Sequence, residues 1–166
     1  VGLLPFRSLG LPENLAKDAY GHWLTYAVDT RLASFVASAP ATQIPVSGNN
    51  GLCGVPFSST TSISVTLSNG SQQNNIAVLL LSHGANGYGA YKNQPGSSTD
   101  RLSFPTTVPA CSGTTGAERC NSTLSPTYVT AIAAQGSDPF DDVYLYLDRN
   151  ALVTYLGNQS CTTEWK

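Results

Sequence analysis

Hydrophobic and polar positions alternate most regularly in "TSISVTLSNGSQQNNIAVLLLS", where Ile63, Val65 and Leu67 are spaced by Ser and Thr. A period of two puts one side of a strand in a core and the other in water, and Ser68-Asn69-Gly70 then predicts the turn of a hairpin. From Ile76 to Leu81 every residue is apolar, which predicts a central strand covered on both faces. "DDVYLYLDRNALVTYLG" predicts a last strand, with Val143, Leu145 and Leu147 alternating with Tyr144 and Tyr146. Asp148 is placed to cap a short helix bearing Leu152, Tyr155 and Leu156, and Gly157 to stop it. Trp23, Leu24, Tyr26 and Val28 suit a half-buried strand near the N-terminus. "TRLASFVASAP" has Leu32, Phe35 and Val36 at helical spacing but stops at Pro40. Residues 40–60 are a Pro-, Ser- and Gly-rich loop around Cys53. The stretch from Gly84 to Gly136 has little periodicity, and a loop of that size either carries function or needs a staple. The pattern predicts one α+β domain over residues 1–166. Its core is an antiparallel sheet of about four strands, with long disulfide-stapled loops and a short C-terminal helix.

Composition narrows what such a domain can do. The 166 residues suffice to bury roughly 70% of the unfolded surface. Only 11% are charged and the net charge is −2, with Lys and Arg scattered singly, so no nucleic-acid surface is expected. Ser, Thr, Asn, Gln and Gly must then supply the polar surface, as in exported or assembled proteins. Four cysteines fit two disulfides in an oxidising compartment. Of three possible pairings, Cys111–Cys120 is expected because it closes a small loop with few apolar anchors. Cys53–Cys161 would then tie the C-terminal tail to the 40–60 loop. Asn69, Asn121 and Asn158 stand in Asn-x-Ser/Thr triplets permissive of glycosylation. The chain has no methionine and no apolar run of membrane-spanning length, so Val1 is expected to follow a segment that was removed or is separately encoded.

Two constellations bear chemistry. "LLLSHGANG" resembles the Ser-His-Gly turn of caspase-like peptidases, and "PACSG" loosely resembles their nucleophile stretch, with Cys111 as thiolate and His83 as its base. Against this, the two residues are 28 apart rather than about 50, two prolines precede Cys111, and Cys120 is a ready disulfide partner. The favoured expectation is a His83 that sits at a strand end and hydrogen-bonds the glycine loop. His22 is expected at a surface strand position, and no zinc spacing occurs. Asp138, Asp141 and Asp142, with Asn86 or Asp100, offer oxygens to a calcium ion, although turn capping by the aspartates is the simpler expectation. No metal and no cofactor is therefore assigned.

Three blocks together look like the globular head of a type IV pilin or type II secretion pseudopilin. The first is "LPFRSLGLP…DAYGHWLTYAV", with Tyr20 where such proteins commonly carry Trp; Asp18 and Gly21 would make the turn and Tyr20 would pack under it. The second, "VLLLSHGANGYGAY", is similar to the strand and Ser-x-Gly-Ala-Asp/Asn-Gly turn of major pseudopilins. The third, "FDDVYLYLDRNALVTYL", resembles their last strand and terminal helix. Residues 93–136 have no counterpart. The resemblance implies a cell-surface or periplasmic filament subunit without an active site, whose partners are further copies of itself. It also implies a hydrophobic N-terminal pilin helix, absent here and supplied N-terminally or by a separate chain, through which alone the protein would meet a membrane. The alternative is a minor-pilin adhesin or ligand-binding tip, with the 93–136 loop as its binding surface.

Overall fold

A computed structural model describes residues 1–29, 63–92 and 100–155. Among them, β1 (Gly2–Leu3), β2 (Thr25–Val28), β3 (Ile63–Thr66), β4 (Gln72–Ser82), β5 (Thr127–Val129) and β6 (Val143–Asp148) form one sheet. The helices are α1 (Ala117–Asn121) and α2 (Arg149–Tyr155), and Glu13–Ala16 makes a 3-10 turn. The α+β expectation holds at this level, with six strands in place of four. The additions are the two-residue β1 and the three-residue β5, which runs parallel to β3 while the other pairs are antiparallel. No helix of the described residues is long and apolar enough to cross a membrane.

β4 organises the sheet. Its first half pairs with β3 through the predicted hairpin, closed at Gly70 (φ 82°), and its second half pairs with β2 on one side and β6 on the other. The hairpin expectation for Ile63 and Val65 is met: both are fully buried, with Leu67 packed against their cluster. Rows run across three strands, Ala27–Leu79–Tyr146 and Thr25–Leu81–Tyr144 on one face, Val28–Val78–Leu147 and Tyr26–Leu80–Leu145 on the other. The first face is core, joined by Ile76 and Tyr128. The second is not. Val78 and Leu80 are only half-buried, and Val143, Leu145 and Leu147 are 66%, 69% and 40% exposed. Among the described residues the run from Ile76 to Leu81 is therefore fully covered on one face and only partly on the other, short of the expected two covered faces.

A second cluster of Leu4, Phe6, Ala16, Trp23 and Tyr91 packs on the Leu80–Tyr26 end of the open face. Asp18 sets the turn before β2 as expected, its Oδ1 accepting from the Tyr20 and His22 amides, with Gly21 at φ 87°. Tyr20, however, is 62% exposed and does not pack under that turn. Asp148 caps α2 as predicted, accepting from the Ala151 amide at 2.7 Å. The segments at 30–40 and 40–60, with Cys53, Cys161, Leu156, Gly157 and Asn158, lie outside the described residues.

Cys111 is bonded to Cys120, the expected pairing, with Cα atoms 4.8 Å apart. Opening this ten-residue ring by replacing both residues with Ser should lower the unfolding free energy by about 2–3 kcal/mol on the chain-entropy scale. Urea titration of the double variant against the parent checks the value; an unchanged midpoint would mean the loop is held wholly by other contacts.

Candidate functional site

The glycine-rich turn after β4 is where sequence-distant polar groups meet. Gly84, Gly87 and Gly89 take φ values of 61°, 65° and 81°, conformations that side chains disfavour, as the spacing of glycines predicts. Gly84 has a second reason to lack a side chain: a Cβ there would stand 2.3 Å from the Asp141 carboxyl carbon. His22, expected at the surface, instead clasps this turn. Its Nδ1–H donates to the Gly84 carbonyl at 2.9 Å, and its ring fills the space beside Gly87.

Behind the turn stands a buried group of carboxyls. α1 is held by three ties: the Cys120 crosslink, Arg119 donating to the Val108 and Pro109 carbonyls, and Asp138 accepting from the Gly116 amide at 3.1 Å. That places Glu118 and Asn121, one turn apart on one helical face, against the end of β4 and the residues before β6. Glu118 Oε1 accepts from Asn86 Nδ2 at 2.8 Å and the Asp141 amide at 2.9 Å. Asp141 Oδ2 accepts from the Asn86 amide at 3.0 Å, and Asp142 Oδ2 from Asn121 Nδ2 at 2.8 Å. Asn121 also treats Val129 as a strand neighbour would, accepting from its N–H at 2.7 Å and donating to its carbonyl at 2.9 Å. Its amide nitrogen is thus committed inside the fold, and Asn121 is not an accessible glycan acceptor. Asn69 sits exposed in the hairpin turn, accepting from Ser71.

Each of the three carboxyls satisfies one oxygen and keeps the other buried without a partner: Glu118 Oε2, Asp141 Oδ1 and Asp142 Oδ1. No Lys or Arg forms an ion pair with them among the described residues. Beside Asp142 stands His83, fully buried, with Nε2 3.0 Å from the Thr25 hydroxyl and Nδ1 3.7 Å from Asp142 Oδ1. Burial above all, then the charge of Arg101, pushes His83 down to about 3, so the ring is neutral at ordinary pH. Burial likewise raises Asp142 well above the usual carboxylate range and Glu118 to about 7. The His83–Asp142 approach is consequently not an ion pair.

Of the oxygens weighed for a cation, Asp141, Asp142 and Asn86 are brought together. Asp138 is spent on Gly116, and Asp100 lies 3.9 Å from Lys92. Glu118 is the member that sequence reasoning missed. The available signal was an acid and an amide three residues apart beside a crosslinked cysteine. Among the described residues, Glu118, Asp141 and Asp142 are the group whose ligand atoms converge, within 4.8 Å of one another. The peptidase pair is not assembled as a thiolate and base, because Cys111 is in the disulfide and His83 is sealed inside. Beside the cluster lies a cavity of about 610 Å3 walled by Asn86, Tyr88, Val108, Gln135, Phe140 and Asp141 among others.

Comparison with known protein families, curated proteins and solved structures found no match.

Two outcomes follow from the cluster. Acids whose folded values are raised hold protons that the unfolded chain has released, so their contribution is full below the unfolded value and is lost as pH climbs through the folded one. For Glu118 that window runs from 4.5 to about 7. His83 acts oppositely, losing stability as pH falls from 6.5 toward about 3. Above about pH 6.5, among the described residues, the raised carboxyls are the groups whose shifts still matter below pH 8, so in chelator the melting temperature should fall between about pH 6.5 and pH 8. A flat or rising melting curve series would contradict the buried-acid assignment. Replacing Asn121 with Ala strands Asp142 and both Val129 backbone groups, and should cost about 3 kcal/mol in chemical denaturation.

Proposed function

We propose that this chain is the globular head of a structural subunit in an extracellular type IV pilus-like filament or a secretion pseudopilus, seated on an apolar α-helix. The observation that carries the reading is the open face of the sheet. Val28, Val78, Leu80, Val143, Leu145 and Leu147 form a continuous apolar surface over β2, β4 and β6, and its β6 side is largely exposed. Three strands spaced by about 4.8 Å present a strip close to 10 Å wide, the diameter of one α-helix with its side chains. Burying a few hundred Å2 of such a strip is worth several kcal/mol at about 25 cal/mol per Å2. Among the described residues its β6 side is left exposed, and an apolar patch of that kind marks a surface for a partner. The three blocks that resemble pilin heads lie on this framework, and the helix would be supplied N-terminally or by a separate chain. The head itself would do no chemistry, its contacts being with copies of itself along the filament.

A second reading, a ligand-binding or adhesive tip subunit, draws on the cavity beside Asp141. Its walls come largely from residues 105–136, within the stretch that has no counterpart in pilin heads.

The double substitution Val143→Lys, Leu145→Lys decides whether the open face is the docking face. Because both side chains already face solvent, the isolated head should keep its melting temperature within a few degrees. Incorporation into filaments, or co-purification with an apolar helix supplied in trans, should be lost by more than tenfold. Undiminished incorporation would remove the basis of the proposal.

A further inference from the structure

We infer that Glu118, Asp141 and Asp142 form a binding site for a hard divalent cation, calcium before magnesium, that fastens α1 to the start of β6. The inference is independent of the filament reading, since it concerns the loop end of the fold and not the open sheet face.

The donors are all oxygens, and each carboxyl is already oriented. One oxygen of each is fixed by amide donors, from Asn86, Asn121 or the Asp141 backbone, leaving the other buried and unpartnered. Hydrogen bonding to the first oxygen is what points the second inward. The three residues offer ligand oxygens within 4.8 Å of one another. A calcium ion bound at about 2.3–2.6 Å has ligands separated by at most about 5 Å, so the group can surround one without rearranging.

Protons alone serve the cluster poorly. A proton shared between two carboxyls leaves the third oxygen unsatisfied, and a second proton turns an acceptor into a donor that needs its own partner. A divalent ion satisfies all three at once.

A separate buried group points the same way. His83 has no exposed surface, its Nδ1 lacks a hydrogen-bond partner, and that nitrogen faces Asp142 Oδ1 at 3.7 Å. The neutral ring leaves Asp142 Oδ1 without a hydrogen bond, and no Lys or Arg among the described residues forms an ion pair with the cluster. His83 lies too far back to count among the ligands that converge.

Access exists as well. Asn86 and Asp141 line both the cluster and the adjoining cavity of about 610 Å3. An ion can enter there and retain the waters that calcium needs to complete six to eight ligands. The site draws its three carboxyls from two places far apart in sequence, the helix at 118 and the dipeptide at 141–142. Occupancy thus joins the crosslinked loop to the last strand, which neither the disulfide nor the sheet does directly.

The test is thermal unfolding of the whole chain, stripped with chelator and dialysed at about pH 7.5, titrated with calcium, magnesium or manganese chloride. Binding to the folded state alone raises the melting temperature with ion concentration. Calcium should raise it by at least 5 °C or so, with magnesium weaker. Glu118→Gln keeps the oxygen that Asn86 and Asp141 use but removes a charge. Without calcium it should melt no lower than the parent, because repulsion is relieved, and it should lose at least tenfold in apparent affinity. Asp142→Asn should lose the response likewise. No response of the parent to any of the three ions would overturn the inference, as would a parent-sized response in Glu118→Gln.

Discussion

β4 has three neighbours because it is longer than any of them, and that surplus length is the constraint from which the remaining geometry follows. Its first residues pair with β3 and its second half with β2 on one side and β6 on the other, and Ile76 is paired at once with Ile63 of β3 and Asp148 of β6. The β3 pairing ends just past Asn75, whose φ of 69° is the one positive value outside glycine among the described residues; the register shifts beside it, between Ile63 and Val65 toward β3 and between Ile76 and Val78 toward β6. Such an irregularity lets one strand serve two partners in line. It also keeps Ile76 and Ala77 both buried, where strict alternation would turn one outward. Because β4 stops at Ser82, the turn that follows is aimed at the end of the sheet. There Ser82 itself donates to Asp18, tying the turn before β2 to the same corner.

That corner is held by polar groups where apolar ones are scarce. Among the described residues from Gly84 to Phe140, the apolar packing at the corner is one small cluster of Ala117, Cys120, Val129 and Phe140, while the large Tyr91 and Tyr128 pack into the clusters of the sheet. Order comes instead from amide donors with defined directions: Asn86 and Asn121 each bridge two segments, and Arg119 reaches back to two carbonyls. Directional bonds specify a unique arrangement but demand that every member be satisfied. This is why the unmatched oxygens of Glu118, Asp141 and Asp142 are informative. In a loop whose shape depends on satisfied polar groups, three neighbouring buried oxygens without a hydrogen bond stand out as the exception.

The parts of this fold legible in sequence are those where a period repeats and neighbours in sequence are neighbours in space. The β3–β4 hairpin, the β6 alternation, the Asp148 cap and the glycines of the turn all belong to that class. So does the Cys111–Cys120 ring, closed within ten residues. The misses have the opposite character. β1 and β5 are too short to show a period, and β5 is a parallel partner of β3 reached across some sixty residues. Apolar composition alone could not tell that Val78 and Leu80 are only partly covered, because coverage is a property of other segments. Tyr20 faces solvent and His22 grips the turn after β4, against expectation for both, since the deciding contact of His22 is with Gly84, sixty-two residues away. Glu118 was invisible for the same reason. Its partners, Asn86 and Asp141, are thirty-two and twenty-three residues away.

β6 binds the two unusual regions of the molecule into one register. In "FDDVYLYLD" the even positions Phe140, Asp142, Tyr144 and Tyr146 turn toward the interior, and the odd positions Val143, Leu145 and Leu147 turn out. Side-chain period is two, so a slip of one residue would exchange the sets completely. Asp142 would leave Asn121 and face water, the open apolar face would close, and both tyrosines would be pushed outside. The pairing of Leu79 with Tyr146 and Leu81 with Tyr144 resists that slip through aromatic packing on the core face. The Asp142–Asn121 bond resists it from the other end, at the first residue before the strand. An exposed Val-Leu-Leu edge on its own would be free to slide, since none of the described residues buries it. What keeps the apolar strip facing outward is therefore the buried polar cluster at the strand's start, and a change that loosens that cluster should loosen the strip as well.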